Sequence, residues 1–300
     1  MKKNEARGIV YLLLTAIIWG GSFISQLFGG EILGPFSFTA YRCIFGCAAI
    51  FIMIVVDNFI NYRVIKFFRP TENIILTIKN SLWCGIVLFL GMVTQQIGVQ
   101  LTDTAKAGLI ASLEAVVVPL MLLILYKRKI RIITWIFIFT AMIGIMLLSS
   151  HSVSGFNIGD VWVFVSTILY SLTIIQVPKY AVNVDPLKFS FFRFVAVGVL
   201  GMIFALIFKE KPFDGVKIVE AMPSMLYSGI LASGVAYTFQ ILGQRDCEPI
   251  IATLLMSLEG IFAAILGWII LGQSLNFIQI LGILVAFISI VFVQITDNHT

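Results

Sequence analysis

Ten stretches of this chain are apolar for about twenty residues at a time, and that repetition limits its fold more than any single residue does. They run at about 9–27, 35–56, 80–100, 107–126, 132–149, 159–178, 187–208, 225–243, 250–271 and 277–295. A helix rising 1.5 Å per residue needs roughly 20 residues to cross the ~30 Å hydrocarbon layer of a bilayer. Lipid offers backbone groups no partner, so each segment must satisfy its own, and no run alternates with period two as a barrel strand would. Composition agrees, with 60% hydrophobic and only 12% charged residues, where a soluble domain carries about 25% charge. Mean hydropathy is +1.04. The expected fold class is an all-α integral membrane protein with ten transmembrane helices.

The basic leader Met1 to Arg7 followed by an apolar run resembles a signal peptide at first sight. Signal peptides have a shorter apolar core, about 7–15 residues, and a small-residue cleavage site, so the run from Gly8 to Leu27 is read as a retained first helix. Counting Lys and Arg loop by loop fixes the direction of threading. With the amino terminus inside, Lys2, Lys3, Arg7, Arg63, Lys66, Arg69, Lys79, Lys127, Arg128, Lys129 and Arg131 fall on the cytoplasmic side of the first half, against Lys106 outside. The second half is balanced, with Lys179, Lys188 and Arg245 inside and Lys209, Lys211 and Lys217 outside. The expected location is the inner membrane, multi-pass, with both termini cytoplasmic. The net charge of +5 is thereby topology information and implies no nucleic-acid partner.

The chain also repeats itself. At an offset of 151, Gly8, Val10, Ile17, Pro35, Phe38 and Arg42 fall on Gly159, Val161, Ile168, Pro186, Phe189 and Arg193. At 144 to 145, Thr94, Gln96, Gln100, Leu109, Ser112, Leu113 and Glu114 fall on Thr238, Gln240, Gln244, Leu254, Ser257, Leu258 and Glu259. Apolar segments share Leu and Ile by chance, but not an Arg and a Glu. Five helices per half is an odd number, so the second copy enters from the opposite face, giving two inverted five-helix repeats. The cut falls in the loop around His151 to Asp160.

Charges at bilayer depth cost about 2.5 kcal/mol or more on insertion scales, so they face a partner or a wet cavity. Arg42 lies seven residues after Pro35 and Glu114 seven after Ala107, each roughly 10 Å down its helix. Arg193 and Glu259 repeat the count from the other face. Two ion pairs are predicted, Arg42 with Glu114 and Arg193 with Glu259, serving either to hold helices together or to line a pathway. Trp19 and Tyr170 occupy equivalent places in the first helix of each half, away from the interfacial belt, and line a shared cavity unless they only pack. Gln96, Tyr237 and Gln240 add hydrogen-bonding groups to that candidate substrate cavity, or bond between helices. Pro119 predicts a kink confined to the first half. Cys43, Cys47, Cys84 and Cys247 show no CxxC spacing and read as small core residues. With only His151 and His299 besides, no metal site, cofactor site or catalytic residue is expected.

Ile18-Trp19-Gly20-Gly21-Ser22-Phe23, the segment from Pro35-Phe36 to Arg42, Thr104 to Leu109 leading to Val118-Pro119-Leu120, and Ser257-Leu258-Glu259 followed by Gly267-Trp268-Ile269-Ile270-Leu271-Gly272 resemble the EamA-type branch of the drug/metabolite transporter superfamily. The resemblance covers about residues 8 to 295. It implies two EamA-like repeats, 8–150 and 156–296, around a central cavity that opens alternately to each side. It also implies small-molecule substrates such as amino acids, other small metabolites or toxic compounds, usually exported. Gln273 departs from the family, where Glu commonly follows Leu-Gly.

The expected function is a secondary active exporter of a small metabolite such as an amino acid or related compound, not an enzyme. No Gly-Lys-Ser/Thr phosphate loop is present to bind ATP; protons acting through Glu114 or Glu259 are the candidate coupling ion. An integral-membrane enzyme on a lipid-linked substrate would gather Asp, His or Lys near one interface, and no such cluster appears. A non-transporting membrane sensor is the third reading.

Overall fold

The computed structural model describes residues 3–62, 67, 73–102, 104–127, 130–148, 157–181, 184–271 and 276–297. All regular structure among them is helical. In chain order the elements are α1 (Lys3–Leu33), α2 (Pro35–Tyr62), α3 (Ile74–Leu101), α4 (Thr104–Ala111), α5 (Glu114–Tyr126), α6 (Ile132–Leu148), α7 (Ile158–Tyr180), α8 (Pro186–Ile207) and α9 (Gly215–Leu226). A π-helical segment (Tyr227–Ala236), α10 (Tyr237–Asp246), α11 (Pro249–Met256), α12 (Glu259–Leu271) and α13 (Phe277–Asp297) follow. Among the described residues six helical spans are long and apolar enough to cross a bilayer, and four shorter apolar helices accompany them. Ile60, Ile75, Ile124 and Ile132 are between 67% and 80% exposed. A row of large aliphatics on the outside is unfavourable in water and is the solvated face in hydrocarbon. The protein is a multi-pass membrane protein. The 151–156 junction, Gln273 and His299 lie outside the described residues.

Helix starts follow from local chemistry. Pro35, Pro186 and Pro249 each open a helix at the first turn, where the missing N–H costs nothing. Asp185 accepts from Leu187 N and Lys188 N to cap α8. Asn157 and Asp160 form a reciprocal capping box on α7. The turn between α1 and α2 is the single residue Gly34 at φ +88°, a left-handed conformation that a Cβ would strain. The Glu210 carboxylate caps the second helix from across the molecule, accepting from Phe36 N at 3.2 Å and Ser37 N at 2.6 Å.

The helices pack through glycine. A Cβ added at Gly8 would lie 3.1 Å from the Gly243 carbonyl, and one at Gly98 would lie 3.0 Å from that of Gly159, so α1 meets α10 and α3 meets α7 backbone to backbone. Small residues permit this approach where lipid provides no hydrophobic drive for helix association. The α1–α10 contact ends in an ion pair, Arg7 Nη2 to Asp246 Oδ2 at 2.9 Å.

Two apolar runs are broken at matching places. The first divides into eight residues of α4 and thirteen of α5, the second into eight of α11 and thirteen of α12. At the first break Leu113 N bonds Ile110 O and Ala115 N bonds Ser112 O; at the second Leu258 N bonds Leu255 O. These are three-residue spacings in place of the α-helical four. The Ser112 hydroxyl donates to Gly108 O and the Ser257 hydroxyl to Leu254 O, each at 2.8 Å, a back-bonding that bends helices. The kink expected only in the first half therefore needs correction. The interruption precedes Pro119 and recurs in the second half, where no proline stands at the matching place, so the Ser-Leu-Glu sequence accompanies it rather than the proline.

The π-helical segment between α9 and α10 has no counterpart in α3, which runs unbroken from Ile74 to Leu101. Its carbonyls bond to α1: Thr15 Oγ1 donates to Ala236 O and Trp19 Nε1 to Ala232 O, both at 3.1 Å. Such bulges commonly occur at functional sites.

Candidate functional site

Glu114 and Glu259 are the first residues of α5 and α12, so each carboxyl stands at the start of a half-helix, at the positive end of its dipole. The two interruptions touch: a Cβ on Gly260 would lie 3.4 Å from Ser112 Oγ. Both carboxyls line one cavity. A Cβ on Gly20 would lie 2.8 Å from the Glu259 carbonyl, which brings α1 close against the second break.

Arg42 lines the same cavity, and α2 brings it there against the π-helical segment, where its Nε donates to Ser233 Oγ at 3.2 Å. Neither predicted ion pair, Arg42–Glu114 or Arg193–Glu259, forms among the described residues. Counting along a helix gives depth but not azimuth. Here the second helix of one half packs on the third of the other, and both glutamates face the cavity that Arg42 also lines.

Trp19, Tyr170, Tyr237 and Gln240 also line the cavity. Trp19 and Tyr237 pack with ring centroids 4.7 Å apart. The Tyr170 hydroxyl donates to Gln95 Oε1 at 3.2 Å and lies beside that of Tyr237. Gln96 does not line the cavity; it is fully buried and donates from Nε2 to Gln26 O at 2.8 Å. Arg193 is also outside the lining and 0% exposed, and none of its three side-chain nitrogens has a hydrogen-bond partner. Its guanidinium carbon lies 5.6, 5.7 and 5.3 Å from the ring centroids of Phe189, Phe194 and Tyr237.

The two arginines are structural equivalents despite this difference. A Cβ on Gly229 would meet Arg42 O at 2.8 Å and Phe45 Cβ, and one on Gly85 would meet Arg193 O at 2.9 Å and Ala196 Cβ. Gly85 and Gly229 are 144 apart, the offset that carries Thr94 onto Thr238. By that offset Ser233, the partner of Arg42, corresponds to Phe89.

A chain of apolar helices folded around a small charged cavity, with matching breaks, is the setting in which relatives become informative. Residues 6–150 and again 157–295 match the EamA-like transporter family. The chain belongs to that family. An uncharacterized transporter of Archaeoglobus fulgidus is 24% identical over 95% of this chain and 84% of its own length. One of Clostridium kluyveri is 24% identical over 92% and 89%. A solved crystal structure superposes with a TM-score of 0.76 over 98% of both chains at 14% identity, a likeness of fold. Membership makes this EamA-like chain a membrane transporter by family.

The cavity of this EamA-like protein includes residues that the sequence did not single out. Ser22, Phe23 and Gln26 continue from Trp19 along one face of α1, and Thr173 and Ile174 continue from Tyr170 on α7. Spacings of three, four and seven from the two aromatics already mark those stripes. Gln95 lines the cavity while its neighbour Gln96 turns away, a choice between adjacent residues that depends on helix rotation.

Proposed function

We propose that this protein is a secondary active transporter that exports a small metabolite, such as an amino acid or related compound, by alternating access around the cavity between two inverted five-helix repeats. The repeats are residues 8–150 and 156–296, ten transmembrane helices in all, set in the inner membrane with both termini cytoplasmic. The observation that carries the reading is the meeting of the two broken helices. Each half contributes a glutamate from the start of a half-helix to one cavity, alongside Arg42 and the aromatic walls of Trp19, Tyr170 and Tyr237. Discontinuous helices whose ends aim at a mid-membrane site are a recurring transporter design.

Protons are the proposed coupling ion. Two carboxylates facing one cavity repel when both are charged, so protonating one favours their close approach and releasing that proton favours separation. Gln at both Glu114 and Glu259 then leaves flux without its dependence on a proton gradient; flux with the gradient dependence of the wild type removes proton coupling through these two residues. The export reading is tested by metabolite profiling of medium from cells expressing the wild type beside a Trp19→Ala, Glu114→Gln double variant matched for membrane abundance. A compound enriched outside only with the wild type is the expected result. Identical media under several nutrient conditions, with purified protein giving no flux in liposomes, would sink it.

A further inference from the structure

We propose that Arg193 is an oxyanion-binding position of the transport path, shut off from the cavity by the Tyr237 ring in this conformation, which receives an anionic group of the solute when that ring turns away. The proposal rests on the transporter reading above and adds a recognition residue that does not line the cavity as it stands. Four observations carry it.

Arg193 is wholly buried and its guanidinium makes no hydrogen bond. A guanidinium carries five N–H donors in a planar fork and cannot shed its charge, so it cannot escape burial by becoming neutral. The rings of Phe189, Phe194 and Tyr237 compensate the charge in part and leave every donor unused. Its equivalent in the other half, Arg42, is buried too, yet has Ser233 as an acceptor and reaches the cavity. The matching acceptor position for Arg193 is Phe89, whose ring offers no acceptor to serve Arg193 as Ser233 serves Arg42. Finally, Tyr237 borders both places: it lines the cavity, and its ring centroid is 5.3 Å from the Arg193 guanidinium. Rotation of one side chain joins the two. A fork of unused donors behind a movable aromatic ring suits a planar or tetrahedral oxyanion, which accepts two parallel N–H bonds.

The test uses the full chain purified in nanodiscs, with sodium acetate and sodium phosphate as probes against sodium chloride at equal ionic strength. Binding to the folded state raises the melting temperature. The expected result is a rise of about 2–4 °C for wild type with one of the two oxyanions, absent in Arg193→Met and retained in Lys217→Met, an exposed position away from the cavity. Arg193→Met without added salt is expected to melt no lower than wild type, because an apolar side chain of similar length replaces an unpaired charge. No rise in wild type, or a rise that survives in Arg193→Met, overturns the proposal. Should Arg193→Met not fold, wild type alone decides: phenylglyoxal modification of Arg193, read by peptide mass spectrometry, is expected to slow at least fivefold in the oxyanion. An unchanged rate, or no modification at all, overturns it. An intact oxyanion response without any solute flux would remove the transporter reading and leave the binding position standing; flux with no oxyanion response would do the reverse.

Discussion

Arg42 and Arg193 sit at matching positions in α2 and α8, each seven residues after the proline that opens its helix, and their backbones are approached by equivalent glycines. One reaches the cavity and donates to Ser233; the other is sealed among three rings with every donor unused. The two segments share the position of the charge and differ in what surrounds it. A serine in the π-helical segment and a phenylalanine in the unbroken α3 make that difference. What an intramembrane charge does is decided by the facing helix, not by its own.

The comparison breaks most readily at the glycines. Gly229→Val and Gly85→Val each force a side chain against the backbone of an arginine-bearing helix, and each is expected to cost about 2–3 kcal/mol of stability, measured by thermal unfolding in detergent. Near-equal losses would support equivalence of the two contacts, whereas tolerance of one alone would end it. A smaller effect distinguishes the arginines themselves. Ser233→Ala removes the acceptor of Arg42 and is expected to cost about 1.5 kcal/mol. The smallest effect concerns the two breaks. If they depend on Ser-Leu-Glu and not on proline, Pro119→Ala changes stability by less than about 0.5 kcal/mol and leaves flux unaltered; a loss of flux in that variant would restore the proline as the cause.

Much of the fold could be read from sequence because hydrocarbon imposes a length and a period on anything that crosses it. The run at 35–56 and the start of α2 at Pro35 agree, and the repeat led to Glu114 and Glu259 as a related pair. Azimuth was not legible. The depth count put Arg42 beside Glu114 within one half, but ridges and glycine contacts rotate α2 toward the π-helical segment of the other. The same uncertainty hid Gln95 behind Gln96. The helix breaks were not legible either, since a Ser in an apolar run is compatible with an unbroken helix, as Ser81 is in α3, and only the three-residue backbone bonds of Leu113, Ala115 and Leu258 mark the breaks.

The central claim is that one cavity is reached in turn from both sides of the membrane. It is tested by placing a single cysteine at Ser22 in a chain whose Cys43, Cys47, Cys84 and Cys247 are replaced, and labelling it with a membrane-impermeant thiol reagent in right-side-out and inside-out vesicles. Labelling is predicted from both sides, and a disulfide cross-link between Arg7→Cys and Asp246→Cys, whose native side chains meet at 2.9 Å, is predicted to abolish labelling from one side only. Labelling confined to one side before any cross-link, or loss from both sides at once after it, would contradict the account.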